Sequence, residues 1–301
     1  MNIDFGYACI STKIKDCSTA KTTTVKHFKT IDDLDVRKWK LKKITKENLQ
    51  NTLRLLWHNI AEDIKLYRFS SQLVPLATHE LGQIWNYTEE CSDEFAKVGR
   101  VIKKNNLKAS THPGQYTVIN TPKEDVFENS KADLEYHNNV LNAMNLDFTA
   151  KMVTHVGGVY GEKNKAKERF ITNFKKLSSD IQQGLVLEND DTSYSIGDVL
   201  EICQELKIPM VLDVHHHNCY NQGEKLKEYL EGIFATWTDR TPKIHFSSPR
   251  SKKHPKRHAD YINPEEFKTF LDLANDYEFD VMIEAKKKDE AVLKLREDLE
   301  I

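Results

Sequence analysis

The chain has 301 residues, of which 39% are hydrophobic and 30% charged, a balance that supplies a large buried core and excludes a disordered or low-complexity chain. Lys and Arg number 44 against 46 Asp and Glu, so the net charge of −2 excludes any global attraction to polyanions and leaves such binding to a local patch. Five scattered cysteines without a C-x-x-C pair exclude a disulfide framework and a zinc ribbon, and no run of about 18 apolar residues offers a membrane span. The N-terminus lacks the charged and apolar regions of a signal peptide, so the expectation is a cytosolic protein with reduced thiols.

Eight short runs rich in β-formers recur along the chain, at 4–9, 64–69, 107–111, 152–155, 185–188, 210–213, 243–246 and 280–284. Between them lie stretches with helical spacing, such as Phe95, Val98, Val101 and Ile102, or Phe170, Phe174 and Leu177. That alternation predicts βα units and a parallel sheet, and at this length one (β/α)₈ barrel, a TIM barrel spanning 1–301 as a single domain. The polar segment 11–45 reads as a long first loop before a helix around 47–63. No second domain and no short-period repeat are evident.

The ends of these strands carry the chemistry. Strand three runs into His112, strand four ends at His155, strand five at Glu188 and strand six at Asp213, while His245 lies in strand seven and Glu284 closes strand eight. A lone His or Glu at a strand end is more often structural than functional. Six delivered to one barrel rim differ, because crowding carboxylates and imidazoles into one mouth is costly unless cations neutralise the charge. Mixed His, Asp and Glu ligands suit Zn²⁺ or Mn²⁺, and a shared carboxylate is how a multinuclear hydrolase is assembled.

Two more candidates flank that set. His216 follows Asp213 by three residues and is favoured over His215 and His217, which would point elsewhere from an extended segment; His258 lies in the loop after strand seven. The run from Pro249 to His258 is the most basic stretch of the chain and leaves strand seven on the same rim, which makes a phosphate contact through a residue such as Arg257 a better reading than a solvated loop. The loop from Gly157 to Lys165 joins glycines to lysines, Lys163 among them; close approach of a phosphate or a simple turn would each account for the glycines.

Nine strings in order then carry a resemblance. They are Gly6-Tyr7-Ala8-Cys9, Tyr67-Arg68-Phe69 with the following Ser70-Ser71-Gln72-Leu73-Val74-Pro75, His112-Pro113-Gly114-Gln115-Tyr116, Leu134-Glu135-Tyr136-His137, Tyr160-Gly161-Glu162-Lys163, Leu187-Glu188-Asn189-Asp190, Asp213-Val214-His215-His216, Lys243-Ile244-His245 and Ile283-Glu284-Ala285-Lys286. Over nearly its whole length the chain resembles the UV damage endonucleases, which nick DNA beside ultraviolet photoproducts. The resemblance implies a barrel related to those of abasic-site endonucleases and sugar isomerases, with up to three metals, often manganese, held by His112, His155, Glu188, Asp213, His216, His245, His258 and Glu284. It implies a carboxyl modification on Lys243, with Glu188, Lys243 and Glu284 in catalytic roles. Gln115 and Tyr116 match the pair that probes the lesion, and Tyr7 the residue that contacts flipped bases. An asparagine associated with the lesion pocket is missing here, and Ser11 stands nearby.

The expected activity is hydrolysis of the phosphodiester immediately 5′ to a lesion in double-stranded DNA, leaving 3′-hydroxyl and 5′-phosphate ends, by a monomer without membrane contact. Weakly stacked damaged bases cost less to extrude, which gives selectivity without reading sequence. An abasic-site endonuclease with a narrower pocket is one rival, separated by a bulky dipyrimidine substrate. A metal-dependent sugar-phosphate isomerase is another, opposed by the basic stretch and by Gln115-Tyr116. A non-catalytic DNA-binding module gives no reason for eight convergent ligands.

Overall fold

The computed structural model describes residues 3–147 and 149–301. Eight parallel strands close into a barrel: β1 (Phe5–Ala8), β2 (Leu66–Arg68), β3 (Lys108–Thr111), β4 (Lys151–His155), β5 (Leu185–Glu188), β6 (Met210–Asp213), β7 (Lys243–Phe246) and β10 (Asp280–Ile283), in sequential order with β10 closing on β1. They fall where the β-type runs predicted. Their burial on both faces is what parallel barrel strands require. No helix among the described residues is long and apolar enough to cross a membrane.

The outer layer comprises α1 (Val25–Lys29), α2 (Leu34–Ala61), α3 (Tyr87–Glu90), α4 (Ser92–Lys104), α5 (Glu124–Ala143), α6 (Lys163–Phe174), α7 (Ser179–Gly184), α8 (Ile196–Leu206), α9 (Val214–Cys219), α10 (Leu230–Ala235), α11 (Pro264–Leu273) and α12 (Lys288–Leu299). Segment 11–45 is therefore not all loop. Asp33 caps α2 by accepting from the amides of Asp35 and Val36 at 2.8 and 3.0 Å, which starts the helix at Leu34 rather than near 47. The missed start reflects the many lysines of its first turns, which blur the apolar stripe without opposing helix.

The basic stretch after β7 is likewise not an irregular loop. It folds as an antiparallel ribbon of β8 (Pro249–Ser251) and β9 (His254–His258), exposed along most of its length.

Alternation along the strands fixes which side chains line the barrel. Gly6 pairs with Leu66 and Met282, and Ala8 with Arg68; Tyr7 pairs with Tyr67 and Ile283 on the opposite face, toward the helices. Below the rim, Val153, Val186 and Val211 form an inward cluster closed by Trp237, whose indole N–H donates to the Met210 carbonyl at 2.6 Å. Each valine lies two residues before a candidate ligand, so one strand face supplies first packing and then chemistry. Gly6 is required by this closure, because a methyl group there would overlap the Leu66 backbone.

Gly6→Ala is therefore expected to lower stability by about 3 kcal/mol through overpacking of the β1–β2 contact. Urea unfolding followed by circular dichroism checks this, and a midpoint equal to that of the parent chain would show that the barrel seam yields.

Candidate metal centre

Three groups of side chains have ligand atoms lying within 4.8 Å of one another: His112, His155 and Glu188; Glu188, Asp213 and His216; and Glu188, His245 and Glu284. Glu188 belongs to all three. Its Oε2 faces His112 Nε2 at 3.1 Å and His155 Nε2 at 3.6 Å, while its Oε1 faces His245 Nδ1 at 2.6 Å and His216 Nδ1 at 3.8 Å. Each oxygen thus looks into a different half of the mouth, the disposition of a bridging carboxylate. Glu188, Asp213 and His245 are essentially enclosed, whereas His112 and His155 face the opening.

Backbone carbonyls orient the imidazoles. Nδ1 of His112 lies 3.0 Å from the Pro113 carbonyl, that of His155 3.3 Å from Glu188 O, that of His216 2.9 Å from Asn189 O and that of His258 2.6 Å from Glu284 O. Donation from Nδ1–H to these oxygens leaves each Nε2 lone pair free for a ligand. Asn189 also clamps the neighbouring strand: its amide donates to Asp213 O and its carbonyl accepts from Asp213 N, both at 2.9 Å.

His216 joins the site by a different route from the one its sequence context suggested. Residues 214–219 are helical, and Asp213 is the cap of α9, accepting from His216 N at 2.7 Å. One helical turn, not an extended chain, brings His216 back over Asp213 and Glu188. His215 is buried edge-on against His258, and His217 is buried outside the three groups. His258 also lies outside those groups; it stands at the end of β9 with ring centroid 6.4 Å from that of His216.

The electrostatics favour a cation. Burial opposes ionisation of Glu188, but His245 and His155 hold it well below the usual carboxylate range. Asp213 is pushed well above that range by burial and by the nearby charges of Glu188 and Glu284. Burial disfavours the charged form of His216, yet Asp213 and Glu188 outweigh it and raise the imidazole to about 9. Asp213 Oδ2 and His245 Nε2 are buried with no hydrogen-bond partner. Two orphaned atoms of metal-ligand type, on residues of the carboxylate-rich cluster, fit divalent cations and are otherwise costly.

Arg68, to which the strand reading gave no role, donates to Glu284 Oε1 at 2.5 Å and orients that carboxylate, whose oxygen also lies 3.2 Å from His245 Nδ1. A single arginine in a buried strand was the available signal. Lys243 lies two residues before His245 on the inward face of β7, enclosed, and paired in register with Asp280. Burial, with Arg240 and Arg68 nearby, pushes its ammonium down to about 7.

The remaining candidates divide. Tyr116 is 82% exposed at the rim beside Gln115, and their turn is held by Asp133, which accepts from Gly114 N at 3.3 Å and Thr117 Oγ1 at 2.5 Å. Arg257 is exposed on β9. Tyr7 is not at the rim: it is fully buried, facing α2, and donates to Asn59 Oδ1 at 2.8 Å, so its placement does not match a residue that meets extruded bases. Lys163 is committed to Asp198 at 2.7 Å and lies over the rings of Tyr194 and Tyr220. In the same loop Gly157 has φ +113° and a side chain there would strike Asn120 and Val118, so a tight turn accounts for it. Ser11 donates to the buried Asp289, which also accepts from Thr12 N at 2.8 Å.

A closed parallel barrel with a carboxylate shared among three ligand groups at its C-terminal rim defines a barrel protein with a candidate multinuclear metal centre. The family model for UV-endonuclease UvdE matches residues 3–301. The UV DNA damage endonuclease of Bacillus mycoides (strain KBAB4) is 44% identical over 299 residues, covering 98% of this chain and 94% of that protein. The crystal structure of SacUVDE matches with a TM-score of 0.89 and 32% identity, covering 99% of this chain and 98% of that one. The chain belongs to the UvdE family of UV endonucleases. Endonuclease IV from Thermus thermophilus shares the fold alone, with a TM-score of 0.56 and 15% identity over 83% of this chain and 94% of that one.

Because Glu188 serves every ligand group, Glu188→Gln is expected to abolish metal uptake at more than one position. Adding Mn²⁺ at about 100 times its dissociation constant should stabilise the parent chain by about 2.7 kcal/mol and the variant by nearly nothing. Metal analysis with thermal melts reads both quantities, and full metal content in the variant would refute the bridging assignment.

Proposed function

We propose that this chain is a metal-dependent DNA repair endonuclease that cuts the phosphodiester immediately 5′ to ultraviolet photoproducts in duplex DNA, leaving 3′-hydroxyl and 5′-phosphate ends. The observation that carries this reading is the shared carboxylate of Glu188 at the mouth of a UvdE-family barrel. Divalent cations held by His112, His155, Glu188, Asp213, His216, His245, His258 and Glu284, manganese foremost and zinc as the alternative, would polarise the phosphate and activate water there.

The chain's own groups set the geometry of the cut. Glu188 and Glu284 keep negative charge at the centre of the mouth, and Arg68 fixes the direction of Glu284. The turn at Pro113-Gly114 carries Gln115 and Tyr116 out from the ligand His112, and Asp133 fixes that turn. Tyr116 presents a flat apolar face that can replace base stacking, a contact worth about 1–3 kcal/mol per base. Gln115 can meet the orphaned bases with hydrogen bonds. Arg257, on the exposed ribbon, supplies charge for the backbone. We assign the protein to the cytosol, acting as a monomer.

Lys243 is proposed to carry a carboxyl group: its neutral amine adds to CO₂, forming an N–C bond and releasing a proton. An amine held down to about 7 is unprotonated in useful fraction near neutrality, which that addition needs.

The reading is tested with a duplex oligonucleotide carrying one photoproduct. A nick directly 5′ of the lesion, ligatable and extendable ends, and loss of cutting on chelation are expected; cutting confined to abasic sites would favour the abasic-site alternative and overturn it. Replacing both Gln115 and Tyr116 by Ala should leave metal content unchanged and slow lesion cutting by tenfold or more, the scale of one lost stacking contact, while binding to intact duplex changes little. Equal losses on damaged and intact DNA would instead mark a general role. For Lys243, the intact mass under mild, non-acidic conditions should exceed the sequence mass by one CO₂, and an unmodified mass would remove that assignment.

A further inference from the structure

Beside the metal centre the rim holds a second concavity. A cavity of about 440 Å³ opens between the end of β2, the β8–β9 ribbon and the turn from β10 into α12; Arg68, Arg250, Arg257, Lys286 and Lys288 line it, with His258 and Glu284 on the side of the metal centre. The single carboxylate on its wall is Glu284, already engaged by Arg68. Among the described residues Arg250, Arg257, Lys286 and Lys288 form no ion pair with any carboxylate. Their neighbours in sequence do: Lys256 reaches Asp191 at 3.5 Å, and Lys287 reaches Glu290 at 3.7 Å. Arg250, Arg257, Lys286 and Lys288 thus face the cavity without a carboxylate partner, while Lys256 and Lys287 beside them are held by acids outside it.

The walls are tied together rather than loosely apposed. Lys286 N donates to Ala259 O and Lys287 N to Asp260 O, each at 3.0 Å, while His258 Nδ1 meets Glu284 O at 2.6 Å. Lys288 holds a left-handed backbone, φ 47°, where glycine would be relaxed. Four like charges held about one cavity by such a frame repel one another unless an anion sits between them. Arginine forks and lysine ammonium groups together suit a phosphate oxygen set.

We propose that this cavity is a phosphodiester site adjoining the metal centre, with which it shares the wall residues His258 and Glu284, and that it holds a non-scissile backbone phosphate of the strand being cut. This rests on the nuclease reading. Two anchored phosphates, one over the metals and one here, fix the direction and register of the strand, which no single contact can do. The cations come from opposite walls, so the ribbon and the β10–α12 turn act as the two sides of a clamp on the backbone.

The test compares the metal-loaded parent chain with the double variant Lys286→Gln/Lys288→Gln, binding intact and photoproduct duplexes across a salt series by fluorescence anisotropy. Loss of one phosphate contact predicts that the slope of log K against log salt falls by about one unit, equally on both duplexes. Metal content should be unchanged, and Lys286→Arg/Lys288→Arg should restore the slope. Lys207→Gln, a single exposed charge removed beyond the C-terminus of α8, should leave the slope as it is. An unchanged slope in the double variant, a slope change that Lys207→Gln reproduces, or loss of metal would overturn the site. Saturable binding of inorganic phosphate that the double variant abolishes without altering DNA affinity would assign the cavity to free phosphate and overturn it too. If the parent chain cuts photoproduct DNA while the variant keeps its slope, the phosphate site alone fails; if the parent chain neither binds nor cuts, the nuclease reading fails.

Discussion

A carboxylate buried to 1% exposure at the centre of a barrel is the constraint from which the rest of this molecule follows. Glu188 cannot stay ionised there without opposite charge on both of its oxygens, since desolvation alone would protonate it. Four imidazoles supply part of that compensation, from the β3 loop, β4, α9 and β7. Imidazoles also disfavour charging when buried, as His155 and His245 do. His216 carries part of that charge, raised by Asp213 and Glu188, while burial keeps His155 and His245 low, and divalent cations could supply the remainder.

The scaffold around that carboxylate serves orientation. Carbonyl oxygens at Pro113, Glu188, Asn189 and Glu284 each lie against an Nδ1, which fixes four rings without further side chains and turns the Nε2 atoms of His112 and His155 toward Glu188. Asn189 locks β5 to β6 where the sheet ladder alone leaves the strand ends free, and Arg68 does the same for Glu284 from β2. Beneath them, Val153, Val186, Val211 and Trp237 form an apolar part of the floor. A site built on strand ends with a packed floor moves less than one built on loops, which is what positioning a phosphodiester demands.

Charge is distributed by place rather than by total. The chain is nearly neutral, yet the ribbon and the β10–α12 turn concentrate unpaired Lys and Arg next to the carboxylate-rich mouth. An anionic strand would thus meet attraction on one side and the candidate metal centre on the other, whereas some lysines elsewhere are paired with acids, as Lys42 with Glu90 and Lys46 with Glu94. Local fields of this kind steer a polyanion without making the whole protein sticky.

The sequence by itself determined the eight strands and the chemistry at their ends, because short β-rich runs spaced by helical segments admit one closed parallel topology, and strand polarity sends all C-terminal ends to one rim. His112, His155, Glu188, Asp213, His245 and Glu284 were legible for that reason. Only the tertiary structure decided phase and partnership. Strands buried on both faces carry no polar alternation to say which side is inward, so Tyr7 gave no sign in sequence that it faces α2 and Asn59 rather than the mouth. Lys163 looked free until Asp198, 35 residues away, was folded against it. A helical turn in α9, rather than an extended segment, brings His216 over Asp213, and pairing of Pro249 with His258 turned a basic stretch into a ribbon. Each of these outcomes depends on contacts between residues distant in the chain or on local hydrogen bonds that the residue types alone leave undecided.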